Sequence, residues 1–146
     1  VFLLRDGQWS AVAAGEGVSK RMTALEFDEQ GTMWVGSQDQ GLARMVAGRL
    51  EAFAHNAALA HPWILALLSD REHRLWIGTA RGLHRYDGQV LETFGPAEGI
   101  PAANIFALEQ DAAGALWVGT SEGLYRSDRG RFEQVPIPGH EGAVVS

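Results

Sequence analysis

Cysteine is absent from this chain, which excludes disulfides and thiolate metal sites without deciding the compartment. Positive charge is scarce as well. Twelve Lys and Arg stand against 18 Asp and Glu, a formal net charge of −6, and the two signs are interspersed rather than blocked. A nucleic-acid partner would call for a basic face, so none is expected. No apolar run approaches the ~20 residues that a membrane-spanning helix needs. The start is not signal-like either: Val1-Phe2-Leu3-Leu4 runs directly into Arg5-Asp6-Gly7, and the chain reads as an internal piece of something longer. What is plentiful is apolar residues, 46% of 146, together with 18 glycines, a balance that suits a good core broken by many turns.

The dominant signal is internal repetition. Trp34, Trp76 and Trp117 are spaced by 42 and 41 residues, while Gly41-Leu42, Gly82-Leu83 and Gly123-Leu124 follow at 41 and 41. Arg44, Arg85 and Arg126 keep the same step, as do Trp9, Leu50, Leu91 and Phe132. The one extra residue falls in Ser37-Gln38-Asp39-Gln40, a loop. Each unit reads as four short strands. The first ends in a turn such as Asp28-Glu29-Gln30-Gly31 or Asp111-Ala112-Ala113-Gly114, with glycine where φ must be positive. The second unit places His73 there, a residue type that tolerates the left-handed region. The second strand carries the tryptophan, and the third opens at the Gly-Leu pair.

A period of about 40 residues containing four strands is that of a β-propeller blade, whereas sandwiches do not repeat identical quartets. Blades stack face to face, which explains why Met33-Trp34-Val35-Gly36 and Leu75-Trp76-Ile77-Gly78 are continuously apolar. Trp34, Trp76 and Trp117 are therefore expected in the core, each contributing roughly 2–3 kcal/mol by burial. Gly36, Gly78 and Gly119 are expected where neighbouring blades approach closely. The expected fold is all-β, with blades of four antiparallel strands making about three and a half blades of a seven-bladed ring. Within one domain, 1–146, residues 1–12 end a blade, 22–53, 64–94 and 105–135 are full blades, and 136–146 lead into another. Helical propensity in His55-Asn56-Ala57-Ala58-Leu59-Ala60-His61 yields to the repeat, because the aligned Gly95-Pro96-Ala97-Glu98-Gly99 is a loop. A partial ring leaves two blade faces open, so its expected partners are the remaining blades of a parent protein or a second copy through self-association.

Leu75-Trp76-Ile77-Gly78-Thr79-Ala80-Arg81-Gly82-Leu83-His84-Arg85-Tyr86-Asp87 and Leu116-Trp117-Val118-Gly119-Thr120-Ser121-Glu122-Gly123-Leu124-Tyr125-Arg126 closely resemble the two-component regulator propeller repeat. So does the entry segment Gly99-Ile100-Pro101-Ala102-Ala103-Asn104-Ile105-Phe106-Ala107-Leu108. The resemblance implies the periplasmic or extracellular sensor portion of a bacterial membrane receptor, ahead of a histidine kinase or diguanylate cyclase, responding to ligands such as carbohydrates. The first unit departs from the pattern at Met45-Val46-Ala47 and in its longer Ser37–Gln40 loop; the second has Leu59-Ala60-His61-Pro62 at its entry.

Residues repeated in every unit read as structural: Asp28, Asp70 and Asp111 as turn formers, and Arg44, Arg85 and Arg126 as hydrogen-bonding groups between strands or blades. A ligand site should instead vary from blade to blade. In a propeller the loops from strand four to strand one and from strand two to strand three share one face. Arg21, Trp63 and Asn104 open strand one in the three units, and Asp39, Arg81 and Glu122 occupy the other loop. Trp63 suits stacking on a sugar ring, with Arg21 and Asn104 supplying hydrogen bonds to a carbohydrate or other small molecule. His55, His61 and His140 are scattered loop residues, short of the supported ligand set that a metal site needs. Spacing gives no Ser/His/Asp arrangement, phosphate loop or paired carboxylates, so no catalytic residue and no cofactor is expected. The expected function is ligand sensing; the alternatives are a propeller enzyme of the lyase or hydrolase type and a pure protein-interaction scaffold.

Overall fold

The computed structural model describes residues 2–5, 8–11, 13–15 and 18–136. Strands β1 (Phe2–Arg5) and β2 (Gln8–Ala11) pair antiparallel, followed by the two-residue β3 (Ala13–Ala14). Three antiparallel quartets come next. The first is β4 (Met22–Phe27), β5 (Met33–Ser37), β6 (Leu42–Val46) and β7 (Arg49–Ala52). The second is β8 (Ile64–Ser69), β9 (Leu75–Thr79), β10 (Gly82–Tyr86) and β11 (Leu91–Phe94). The third is β12 (Ile105–Gln110), β13 (Leu116–Thr120), β14 (Gly123–Asp128) and β15 (Arg131–Val135). Each sheet follows chain order from inner to outer strand, which is the architecture of an all-β partial propeller.

Two details depart from the sequence expectation. The first sheet has five strands, because Ala13 and Ala14 add parallel to Arg49 and Leu50 on the outer edge of β7. The connector after β7 is not wholly irregular, since Asn56–Ala58 forms one 3-10 turn, as does Pro96–Glu98 in the connector after β11. The first turn is left by Leu59 in extended conformation ahead of Pro62, and the second is ended by Gly99 at φ 93°. Val12, the tail from residue 137 onward and His140 lie outside the described residues, so the lead into a further blade expected there has no structural counterpart on which to comment.

The second blade buries both its faces, one against each neighbour, and each interface has its own aromatic cluster. Between the first two blades, Trp34, Phe53 and Tyr86 meet edge to face, with ring centroids 5.7, 6.0 and 4.8 Å apart. Between the second and third, Trp76, Phe94 and Phe132 do the same work. Such pairs add about 0.5–1.5 kcal/mol beyond area burial. Trp34 and Trp76 are only 4% and 5% exposed, whereas Trp117, on the face of the third blade that has no described neighbour, is half-buried. At the other end, Leu25 and Phe27 pair across to Val35 and Met33 on the first blade's outward face, and are 57% and 52% exposed.

The inner strands pack directly: β4 against β8, and β8 against β12. The glycine after each tryptophan's neighbour makes this approach possible. A Cβ on Gly36 would lie 2.5 Å from Ile64 Cγ2, and one on Gly78 would lie 2.6 Å from Ile105 Cγ2 and 3.1 Å from the Ile105 carbonyl oxygen. A Cβ on Gly119 would meet only the Ala107 side chain, at 3.3 Å, and the Ala107 nitrogen. The Thr23 hydroxyl donates to the Ile64 carbonyl across the first interface. Gly78→Ala should therefore cost about 1–3 kcal/mol by overpacking, and Gly119→Ala clearly less. Urea unfolding of the two variants checks this; equal losses would show that the isoleucine–glycine fit is not what spaces the blades.

Candidate functional site

At one end of each blade, a single carboxylate organises the turn between strands one and two. Asp28 Oδ1 accepts from the Gln30 and Thr32 amides, Asp70 Oδ1 from Glu72 and Arg74, and Asp111 Oδ1 from Ala113 and Ala115. The other oxygen accepts the indole N–H of the blade's tryptophan, at 3.0 Å for Trp34, 2.8 Å for Trp76 and 2.7 Å for Trp117. The guanidinium of the tryptophan's register partner on the adjacent strand then lies on the same indole, 5.7 Å (Arg44), 5.2 Å (Arg85) and 5.6 Å (Arg126) from the ring centre. The repeated arginines thus serve mainly as covers for the tryptophans rather than as links between blades. Arg85 also forms a two-pronged pair with Glu92, its register partner on β11. The repeated Asp-to-Trp spacing of six residues carried this signal, and turn chemistry alone did not reveal it. A shallow cleft of about 220 Å³ lies between the first two blades at this end, lined by Asp28, Trp34, Arg44, Ser69 and Tyr86 among others. Of its lining groups, Asp28, Trp34 and Arg44 are engaged in the contacts just described, while the buried Ser69 hydroxyl has no partner among the described residues.

The opposite end carries the varying residues. In every blade, the residue opening strand one accepts a backbone bond from the loop between strands two and three. Gln38 donates to the Arg21 carbonyl at 2.9 Å, Ala80 to Trp63 at 3.0 Å and Ser121 to Asn104 at 3.0 Å. This bond brings the residues expected at a ligand rim side by side in pairs: Arg21 with Asp39, Trp63 with Arg81, Asn104 with Glu122. Arg21 and Asp39 line one shallow depression together with Lys20 and Gln40. Trp63 is 38% exposed, a large apolar surface beside the fully buried Ile64.

The frame beneath this rim is fixed by buried hydroxyls. Ser37, Thr79 and Thr120 donate to the carbonyls of Gly41, Gly82 and Gly123, and accept from the amides of Gln40, Arg81 and Glu122. Sequence reasoning placed Ser37 in a loop and gave Thr79 and Thr120 no role of their own; their recurrence at 42 and 41 residues was the available signal. Immediately inside the rim, every inner strand has a bulge, between Met22 and Ala24, Ile64 and Ala66, and Ile105 and Ala107. Bulges re-aim side chains next to sites, and the bulge residue of the third blade, Phe106, is 44% exposed. Among the described residues no three His, Asp or Glu side chains gather as a metal site, and no helix is long and apolar enough to cross a membrane.

Blades of this construction, stacked on a common inner edge with repeating cores and a varying loop rim, define a partial β-propeller. Residues 58–81 and 99–122 match the model of the two-component regulator propeller family. No curated protein matches the chain in sequence. Its fold is similar to the extracellular domain of a hybrid two-component system of B. thetaiotaomicron (TM-score 0.69, 20% identity, 78% of this chain and 16% of that one). It is equally similar to the extracellular domain of a one-component system from the same organism (TM-score 0.69, 22% identity, 86% of this chain and 18% of that one). Virginiamycin B lyase from Staphylococcus aureus shares the fold at 11% identity (TM-score 0.63, 81% of this chain and 42% of that one). The chain therefore spans less than a fifth of the two extracellular domains and under half of the lyase.

The Asp111 carboxyl is held below the usual carboxylate range, first by the Trp117 indole N–H and then by the turn amides and Arg126. A depressed carboxyl supports the fold fully above its unfolded value, and that support is lost as pH falls through the lowered one. Trp117→Phe should raise the Asp111 midpoint in a carbon-detected NMR titration. An unmoved midpoint would remove the indole as its cause.

Proposed function

We propose that this chain is the blade-bearing part of an extracellular sensor of a bacterial signal-transduction receptor, and that a small molecule or glycan binds on its loop rim. The observation that carries this reading is the conserved backbone bond in each blade, which sets two non-repeating residues side by side on an otherwise repeating frame. Variation confined to one face, over rigid supports, is how repeat architectures supply a binding surface. Trp63 offers a ring face for stacking, Arg21, Arg81 and Asn104 offer donors, and Asp39 and Glu122 offer acceptors. None of these side chains is needed to hold the blades together. The family match and the likeness to receptor extracellular domains support the sensing role and the extracellular position.

The open faces at Leu25 and Phe27 and at Trp117 have the same make-up as the covered ones between blades, and further blades of the parent polypeptide are their proposed cover. In the intact receptor, Trp63→Ala and Arg21→Ala should each abolish the signalling response while leaving the urea midpoint of the propeller within about 0.5 kcal/mol of wild type. A normal response in both variants would end the rim reading.

A further inference from the structure

His84 is fully buried in β10, and the equivalent positions in the other two blades are Ala43 and Tyr125. Its Nε2 accepts the backbone N–H of Ala60 at 2.9 Å, and its Nδ1 lies 3.0 Å from the Thr93 hydroxyl. Because a backbone N–H can only donate, Nε2 must be the bare nitrogen, and the proton sits on Nδ1 facing Thr93 and the Glu92 carbonyl. Ala60 belongs to the connector from β7 to β8, three residues before Trp63. From Ala60 onward that connector is tied at every step: Gly41 N–H to the Pro62 carbonyl at 2.8 Å, Trp63 N–H to His61 Nδ1 at 3.1 Å, and Ala80 N–H to the Trp63 carbonyl at 3.0 Å.

The two connectors are held differently. The one entering the third blade carries its own cap: Glu98 accepts from the Gly95 amide at 2.6 Å, and Gly99 closes the turn at φ 93°. The one entering the second blade has no side-chain cap on its 3-10 turn, and Leu59 leaves it in extended conformation. Its anchors come from outside the turn's own backbone: the Asn56 amide bridging Leu42, and His84.

We propose that His84 is a positioning residue for the rim, a neutral imidazole whose bond to Ala60 locks the first connector and with it the place of Trp63. Its significance for ligand sensing rests on the rim reading; the lock itself does not. An imidazolium carries N–H on both nitrogens, so protonation leaves the Ala60 amide facing a donor and opens the lock. Burial disfavours that charge and pulls the His84 pKa from 6.5 down to about 4. Between those values the unfolded chain binds more protons than the folded one, so the histidine's support is complete above pH 6.5 and is lost as pH falls towards 4. The ionisable side chains on the elements around it are His55 and His61 of the connector, Arg81 ahead of β10, Arg44 on β6, and Arg85 and Glu92, which satisfy each other at 2.8 Å. The imidazole bonds to none of these side chains.

The test is fluorotryptophan NMR on the full chain, whose five tryptophan signals include Trp63, assigned by Trp63→Phe. In wild type the Trp63 signal should shift reversibly on acidification with a midpoint near 4. His84→Gln retains an oxygen that accepts the Ala60 N–H, so its Trp63 signal should lack the step near 4 and show only whatever shift the His61 bond to the Trp63 amide contributes. His84→Leu lacks the acceptor, and its Trp63 signal should be displaced already at pH 7. A His84→Gln chain that titrates like wild type, or a folded His84→Leu chain with Trp63 unmoved, would overturn the lock. If His84→Leu does not fold, the glutamine variant decides alone. Loss of the rim reading through normal signalling by Trp63→Ala would leave this result untouched, so the two failures are separable.

Discussion

The structure depends on the seating of one blade's leading isoleucine against the preceding blade's bare glycine. Ile64 over Gly36 and Ile105 over Gly78 set how closely the inner strands approach. That distance decides whether the aromatic clusters further out can close edge to face. A single quartet has two oily faces and cannot hide either; only stacking does so. The Asp–Trp–Arg arrangement then works within each blade. The carboxylate ties the turn to the indole and so satisfies the N–H of a ring that is otherwise buried, removing the cost of an unpaired donor. The arginine closes over the ring's face, where a cation is favoured.

Much of this was legible because it repeats. Trp34, Trp76 and Trp117 announce the blade period, Gly36, Gly78 and Gly119 mark the close approach, and the aspartate turns mark the ends of strand one. The Asp–Trp bond escaped notice because turn chemistry already explained the aspartate, and a side chain with one sufficient role invites no search for a second. The hydroxyls of Thr79 and Thr120 were hidden inside apolar strands, where a pattern of hydrophobicity is blind to what a single oxygen can reach. The parallel pairing of Ala13 and Ala14 could not be read at all, since two alanines carry no register information and the partner edge is 36 residues away.

The rim residues were legible in a different way, by failing to repeat. Arg21, Trp63 and Asn104 occupy one position with three chemistries, and the backbone bonds from Gln38, Ala80 and Ser121 show that the frame beneath them is the same each time. His84 belongs to neither group. It is a non-repeating residue inside the repeating core, and its meaning depends on the connector that only the second blade receives. Residues of that kind are invisible to periodicity and to rim logic alike, because the partner is a backbone amide whose position no sequence pattern encodes.

The pairing of β3 along β7 carries one more implication. A sheet's outermost strand ordinarily offers a row of free amides and carbonyls to any passing chain, and proteins must defend it. On the first blade that row is partly taken up by Ala13 and Ala14, and by the Gly15 amide bonding to the Leu50 carbonyl at 2.8 Å. Among the described residues the second and third blades end at β11 and β15, with the charged Arg131 and Glu133 along the latter. Protection against unwanted strand addition is thus supplied by the chain's own backbone pairing at the first blade and by charge at the third, so high salt weakens it only at the latter.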